Sequence, residues 1–520
     1  MERVSDGSWG VIGQSPEYAH PVASTPLTTD VVIVGAGPTG LMAATVLARL
    51  GVDHIIIDEK LGPTTEARAV GVQARTLEIY EQLGIVDEVL AEATKADALS
   101  PGYLKRAYAN IPLPTLGAET TNYPYMSIFE QSKNEALLVR AHAALGGEVV
   151  WGHGVESVVS TGSTGGVVVS IRPSAYSTSS IRARYLIAAD GAGSVVRRMR
   201  GIGFEGTTSA HTFFVVDAAD VRGMRGTSVN IRLGRGEMLL AFPMGQGRDA
   251  RLIGVVPGEH PEADLEAPLR AKLADTYGVT WGDTRWLSTY RVHHRVAERL
   301  RDGPVFLAGD AAHVHSPVGA QGMNTGLQDA HNLACKLADV LQGRAGLVDS
   351  DAYLDAYEAE RRPVAEHVIA FTERVFGLVT SDRRGVQTAI RMLVPIVAPV
   401  MGFLAPRLPL GRRVFGYVSQ TRIRYRMPGA DPRDRVVGRR LPPFAHNHDA
   451  LRDFTWQVHT YGAVDRRLAD AVGLPVHEFP APVRGPLRAG WMYLVRPDGF
   501  VAAAGVTAEP LLAAYAGTHV

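Results

Sequence analysis

The 520-residue chain has one cysteine, Cys335, so an internal disulfide framework and a cysteine zinc site are both excluded. Its surroundings, "GLQDAHNLACKLADVL", carry an amphipathic helical pattern, which predicts a small core residue rather than a nucleophile. Excess charge is absent too. Lys and Arg number 53, and so do Asp and Glu, so no general attraction to nucleic acid or acidic membrane is expected. The first residues lack an apolar signal-peptide core, and residues 1–27 read as a polar extension ahead of the fold. The longest apolar run, Met392 to Ala405, has 14 residues and two prolines, short of the roughly 20 that span a bilayer. It predicts a buried helix pair or a subunit contact. These absences describe a soluble, cytoplasmic chain with neither a nucleic-acid nor a membrane partner, long enough for several domains.

What is present begins with "TTDVVIVGAGPTGLMAATVLARLGVDHIIIDEK", Thr28 to Lys60. Val31 to Val34 form the all-apolar run of a buried parallel strand. Gly35, Gly37 and Gly40 follow in G-x-G-x-x-G spacing, with Pro38 and Thr39 inside it. Gly35 permits the tight turn, Gly37 lets backbone approach a pyrophosphate, and Gly40 lets helix and strand pack closely. The helix start then offers free N–H groups to phosphate. Asp58 ends the second strand, placed to accept from ribose hydroxyls. Glu59 is a competitor that strand alternation would turn elsewhere. The unit predicts a dinucleotide site and leaves NAD and FAD undivided.

Two later strands also end in glycine–aspartate pairs. "RARYLIAADGAGSVVRRM" ends its strand in Asp190-Gly191. "GPVFLAGDAAHVHSPVGAQGMNTGLQDAHNLACKLADVL" ends its strand in Gly309-Asp310 and continues through a glycine-rich loop into a long helix. Within that loop His313 and His315 form an H-x-H pair. No third ligand stands at useful spacing, so no metal is expected, and the histidines read as packing residues.

The three segments together resemble the single-component flavoprotein aromatic hydroxylases of the p-hydroxybenzoate and phenol hydroxylase kind, over about Thr28 to Pro363. "AYEAERRPVA", Ala356 to Ala365, resembles the stretch that follows in that family. The resemblance implies an α/β fold. A Rossmann-like, GR2-type FAD-binding domain with a parallel sheet would take 28–101, 128–204 and 291–400. An inserted mixed β-sheet substrate domain would take 102–127 and 205–290. In the family the aspartate of the Gly309-Asp310 pair bonds the ribityl chain, and the segment at Asp190 lies where flavin and nicotinamide approach. The loop through Pro317, Gly319 and Gly322 presents backbone N–H groups toward the isoalloxazine, where the reduced ring is negative. Met323 and Asn324 would open the helix, Asn324 able to cap it or to touch the ring edge. Gln131 maps to a glutamine near the pyrophosphate, with Arg140 as a further candidate on the same helix. Arg68 maps to a flavin or nicotinamide contact, and Arg75 stays open between such a contact and a structural ion pair.

No second strand–GxGxxG–helix unit is present, so NADPH or NADH is expected to bind transiently in a surface groove. On the substrate side, "MLLAFP" (Met238–Pro243) lacks the carboxylate-clamping arginine of benzoate hydroxylases. That favours a larger or more apolar aromatic, with Phe242 and Pro243 as pocket candidates. His211, His293 and His294 lie near this inserted sheet. After a connector at 401–443, residues 444–520 resemble the thioredoxin-like domain of phenol and polyketide hydroxylases, here without C-x-x-C, with a scaffolding or homodimer role. The implied reaction is NAD(P)H- and O2-consuming hydroxylation of a phenolic or polycyclic polyketide-type aromatic through a flavin C4a-hydroperoxide. Baeyer–Villiger oxygenation would leave the same motifs, and so would a flavin-fold binding protein without catalysis.

Overall fold

The computed structural model describes residues 27–65, 69–162, 165–173, 179–245, 247–256, 264–316, 319–344, 350–381, 383–405, 407–427 and 434–517. The expected extension before Leu27, together with Arg68 and Pro317, lies outside the described residues.

Strand β1 (Leu27–Val34) turns through Gly35 and Gly37 into helix α1 (Pro38–Arg49), and β2 (His54–Asp58) follows. Val31, Val32 and Ile33 are fully buried, as a run covered on both faces must be. Pro38 occupies the first turn of α1, where a missing N–H breaks no helical bond. Helix α2 (Ala74–Leu83), strand β3 (Ala98–Tyr103) and helix α3 (Gln131–Ala144) come next, then β4 (Ser179–Ala188). Strand β1 lies parallel between β2 and β4, with Val34 opposite Ile57 on one side and Ala188 on the other.

The chain then builds a second, nine-stranded sheet. Strand β5 (Phe204–Ala218) pairs with β7 (Ala250–Val255), which pairs in turn with β6 (Met238–Pro243). The long β8 (Thr284–Ala297) covers the other edge of β5. Strand β3 joins this sheet through Ser228–Leu233. The second sheet therefore draws mainly on two stretches, 98–112 and 204–297, against expected inserts of 102–127 and 205–290, while α3 and β4 between them belong with the first sheet. Hydrogen-bonded pairing sets those boundaries, and composition does not change within a strand.

Strand β9 (Val305–Leu307) returns to the first sheet, parallel to β4, with Leu307 opposite Ala188. Helix α4 (Gly322–Leu341) follows, then α5 (Ser350–Val379), α6 (Arg384–Leu404) and α7 (Pro409–Val418). Cys335 is buried in α4, where burial pushes its thiol well above the ordinary range. The apolar run at 392–405 is not a buried pair. It belongs to a 21-residue helix with two internal prolines, and only Ala398 of it is buried. Part of the expected connector is likewise helical, as α7.

The last residues form a four-stranded sheet in the order Val476–Phe479, Gln457–Tyr461, Trp491–Val495, Val501–Gly505, its first pair parallel. Its "RPDG" turn docks on the helices that carry the site. Arg496 reaches Glu360 of α5 at 2.5 Å, Asn332 of α4 donates to Asp498 at 2.9 Å, and Lys336 of α4 reaches Glu360 at 3.1 Å. Arg75 donates to the Asp498 carbonyl at 2.8 Å and pairs with Glu78 at 3.3 Å, which gives it the structural role.

Candidate active site

Three motifs distant in sequence meet at one edge of the first sheet. Strands β1, β4 and β9 are parallel neighbours, so their carboxyl ends bring Gly35–Gly40, Asp190 and Gly309–Asp310 together, as ligand sites in open α/β sheets require. A cavity of about 680 Å³ lies over that edge. Gly35, Gly37, Pro38, Thr39, Asp58, Glu59, Gln131, Asp190, Asp310, Gly322 and Met323 all line it.

The glycines divide by what they make room for. At Gly35, φ is +101° and a Cβ would stand 2.3 Å from the Ala189 carbonyl oxygen, so this turn can be glycine only. A Cβ on Gly40 would lie 1.8 Å from the Gly35 oxygen, and one on Gly309 would lie 2.4 Å from Thr39 Oγ1. Both serve close packing, and neither lines the cavity. A Cβ on Gly37 meets nothing within 4 Å, so the room there belongs to the cavity.

Asp58 accepts from the Ala36 amide at 2.6 Å and the Lys60 amide at 2.8 Å. It therefore ties the second strand to the glycine turn while lining the cavity. Glu59 is exposed yet also lines the cavity; the expected alternation away from it is not kept, because β2 ends at Asp58. Gln131 starts α3 and reaches Glu135, which holds Lys60 at 3.6 Å. Glu135 and Lys60 carried no motif signal in the sequence. Arg140 instead pairs with Glu88 on the surface.

Asn324 does not face the cavity. Its side chain is fully buried and its amide is saturated by protein. Oδ1 accepts from the Gln73 amide at 2.8 Å and Thr76 Oγ1 at 2.7 Å; Nδ2 donates to the Gly71 and Ala320 carbonyls, both at 2.8 Å. It staples the loop before α4 to the segment entering α2, rather than touching a ring. Gly319, at φ +86°, serves the same join: its carbonyl accepts from Gln73 Nε2 at 2.9 Å.

Beneath the loop lies a buried charge cluster centred on Asp329 of α4. Its carboxylate accepts from Arg361 Nε at 2.7 Å, His313 Nε2 at 2.6 Å and the Gly309 amide at 3.1 Å. Burial alone would raise this carboxyl. Arg361 and His313 outweigh that and hold it below its ordinary value. Arg361 also donates to Tyr425 Oη and the Thr325 carbonyl. His313 is thus a packing and bonding residue.

His315 lines the cavity. Its Nδ1 bonds the Ser316 carbonyl at 2.9 Å, which assigns the proton to Nδ1 and leaves Nε2 a buried lone pair without a protein partner. Burial pushes its pKa down to about 4. Burial likewise lowers His142 to about 4 and His331 to about 3. Their folded pKa values lie below the unfolded 6.5, so the unfolded chain binds more protons as the pH falls below 6.5. Stability is therefore lost on acidification. The deeply buried His142 and His331 are expected to cost about 2 kcal/mol each by pH 5, opposed by Asp310 and Asp339, which burial raises. A thermal melt should show a lower Tm at pH 5 than at pH 7; equal values would contradict neutral burial of these rings.

The second sheet closes the far side of the cavity with Phe242, Ile253 and Tyr290, joined by Val70 and Ala320. Pro243 is turned away: successive strand residues face opposite sides, and it lines a different cavity with Arg222 and Arg248. Arg251, paired with Phe242 across the sheet, is fully buried and held by Asp217 at 2.6 Å through two bonds. Of the loop and inserted-sheet histidines, His315 lines the cavity; His293 bonds Thr208, and His211 and His294 stand against Phe376.

Comparison with known proteins gives consistent matches. A family model described as "FAD binding domain" matches residues 28–372. A 12-dehydrotetracycline 5-monooxygenase/anhydrotetracycline 6-monooxygenase of Streptomyces rimosus is 33% identical, with 91% of this chain and 94% of that one covered. A rifampicin monooxygenase of Rhodococcus hoagii is 32% identical, covering 91% of this chain and 95% of that one. Among solved structures, the OxyS anhydrotetracycline hydroxylase from Streptomyces rimosus superposes with a TM-score of 0.72 at 30% identity, over 93% of this chain and 96% of that one.

Proposed function

The chain belongs to the family of FAD-dependent aromatic monooxygenases, and from that premise we propose that it hydroxylates a polycyclic, polyketide-type aromatic, with NADPH or NADH as reductant and O2 as oxygen source. The residues present fit FAD. Gly37 and Gly322 leave bare backbone on the cavity wall, and Asp190 Oδ1 and His315 Nε2 are buried polar atoms awaiting a partner. Gly35 to Thr39 and the start of α1 would hold the pyrophosphate, with Gln131 near it. Asp58 and Glu59 would hold the ribose, and Asp310 the ribityl chain. Gly322 and Met323, at the start of α4, would meet the flavin ring. Bound there, FAD supplies the oxygen activation that no side chain can.

The protein's own part is to bind, orient and keep dry. Phe242, Ile253, Tyr290, Val70 and Ala320 give the substrate side an apolar wall that excludes water. That wall is the observation that carries the substrate reading. No arginine is among the described residues that line the cavity, and Arg251, opposite Phe242 in the sheet, is already held by Asp217, so a small benzoate would find no free clamp. The relatives that act on tetracycline precursors and rifampicin support a large ring system.

The test begins with colour: purified protein should carry, or take up, FAD and show the blue-absorbing band of oxidised flavin. With NADPH and O2, a tetracyclic phenol should gain a new phenolic hydroxyl, identified by NMR, while 4-hydroxybenzoate should not. An inserted ester oxygen would indicate Baeyer–Villiger chemistry instead. A colourless protein that cannot be reconstituted would leave only a binding role.

A further inference from the structure

Helix α6 carries its apolar side away from the protein. Met392, Leu393, Ile396, Val397, Val400 and Phe403 are each 47–64% exposed. They recur at helical spacing on the side opposite Ala398, the helix's buried residue. The stripe continues onto α7 at Leu410 and Val414. A soluble protein seldom leaves so continuous an apolar patch to water.

The segment that carries it has charge of one sign in its own sequence. From Arg383 to Val418 the sequence has six arginines and no aspartate or glutamate. Arg383, Arg384 and Arg391 precede the stripe; Arg407, Arg412 and Arg413 follow it, and all six are exposed. Arg412 reaches Glu119. The chain as a whole is neutral, so this is a local concentration of positive charge flanking an apolar centre.

We propose that this face docks on an anionic lipid surface, with α6 lying along the bilayer. The apolar stripe would enter the acyl boundary and the flanking arginines would reach the head groups. Spanning is not the fitting mode. The opposite side of α6 packs on the protein, where a Cβ on Gly402 would lie 3.2 Å from Ala109 Cβ. A second copy is the poorer occupant, because a twofold contact would set the same arginines against each other, and the nearby acid Glu119 is already taken by Arg412. By length and composition alone the 21-residue α6 could cross a bilayer, so it is the packing of its other side on the protein that favours lying on one. This inference is independent of which aromatic the enzyme oxidises.

The test is flotation of the FAD-loaded enzyme with vesicles of phosphatidylcholine alone or mixed with phosphatidylglycerol. Binding to the mixed vesicles should exceed binding to neutral ones by at least about tenfold and weaken with salt. Two variants should lose it while keeping FAD content and NADPH oxidation: Ile396→Asp with Val400→Asp, and Arg383→Glu with Arg384→Glu and Arg391→Glu. Failure of the native enzyme to float with either vesicle would overturn the proposal. So would flotation that survives both variants. A native dimer that Ile396→Asp with Val400→Asp splits, with no flotation, would mark the face as a self-contact and overturn it as well.

Discussion

Arg361→Leu is expected to destabilise the protein by about 3–5 kcal/mol and to release FAD. The carboxylate of Asp329 is fully buried, and Arg361 is the permanent charge that balances it. Leucine removes that charge and leaves the carboxylate with His313, whose second nitrogen has no partner. An uncompensated buried charge costs far more than the lost hydrogen bonds. The loss would spread to the cofactor because the same Asp329 oxygen that accepts from His313 also holds the Gly309 amide. Arg361→Lys keeps the charge but not the planar fork to Asp329, Tyr425 and Thr325, so it should fall between the two. Denaturant midpoints and the flavin retained through gel filtration measure both effects. A leucine variant within about 0.5 kcal/mol of the native protein, as for an ordinary surface change, would show that the cluster does not hold the loop.

The cofactor edge was legible in the sequence because its signals are local. A glycine in a tight turn, an apolar strand before it and an acid after the next strand leave a pattern within about thirty residues, and Gly35, Gly37 and Asp58 stand where that pattern puts them. What sequence could not show was direction. Asn324 sits at a helix start, where capping or ring contact are both open; only its four protein partners decide that it is a staple. Phe242 and Pro243 are adjacent apolar residues, and pleating sends one to each side of the sheet. Glu135, Lys60 and Tyr290 belong to no motif; their importance arises from contacts between distant segments. The long-range ion pairs are the same kind of case. Arg496 and Glu360 are 136 residues apart, and nothing in either neighbourhood announces the pair. The apolar run at 392–405 left two readings open, a buried helix pair and a subunit contact, and only the first is excluded by its exposure. Composition reports that a segment is apolar, but not whether the fold supplies a partner to cover it.

Gly322→Val is expected to abolish FAD binding while leaving the apoprotein folded, raising the Kd for FAD by roughly a hundredfold or more, about 3 kcal/mol. The expectation rests on what surrounds the position. A Cβ there would meet His315 Cε1 at 3.7 Å and Nε2 at 3.8 Å, which are ordinary contacts, so the protein has room for the first added carbon. The branches of valine would then project into the cavity that Gly322 lines, at the helix start where the flavin ring is assigned. Gly37→Val should behave alike, since a Cβ there meets nothing of the protein within 4 Å. Gly40→Ala is the contrasting case: its Cβ would stand 1.8 Å from the Gly35 oxygen, so the fold itself should suffer. Flavin fluorescence titration of the apoprotein, with its Tm as a second reading, separates the two outcomes. If Gly322→Val kept native FAD affinity, the ring could not lie against the start of α4, and the site would have to be redrawn around the pyrophosphate end alone.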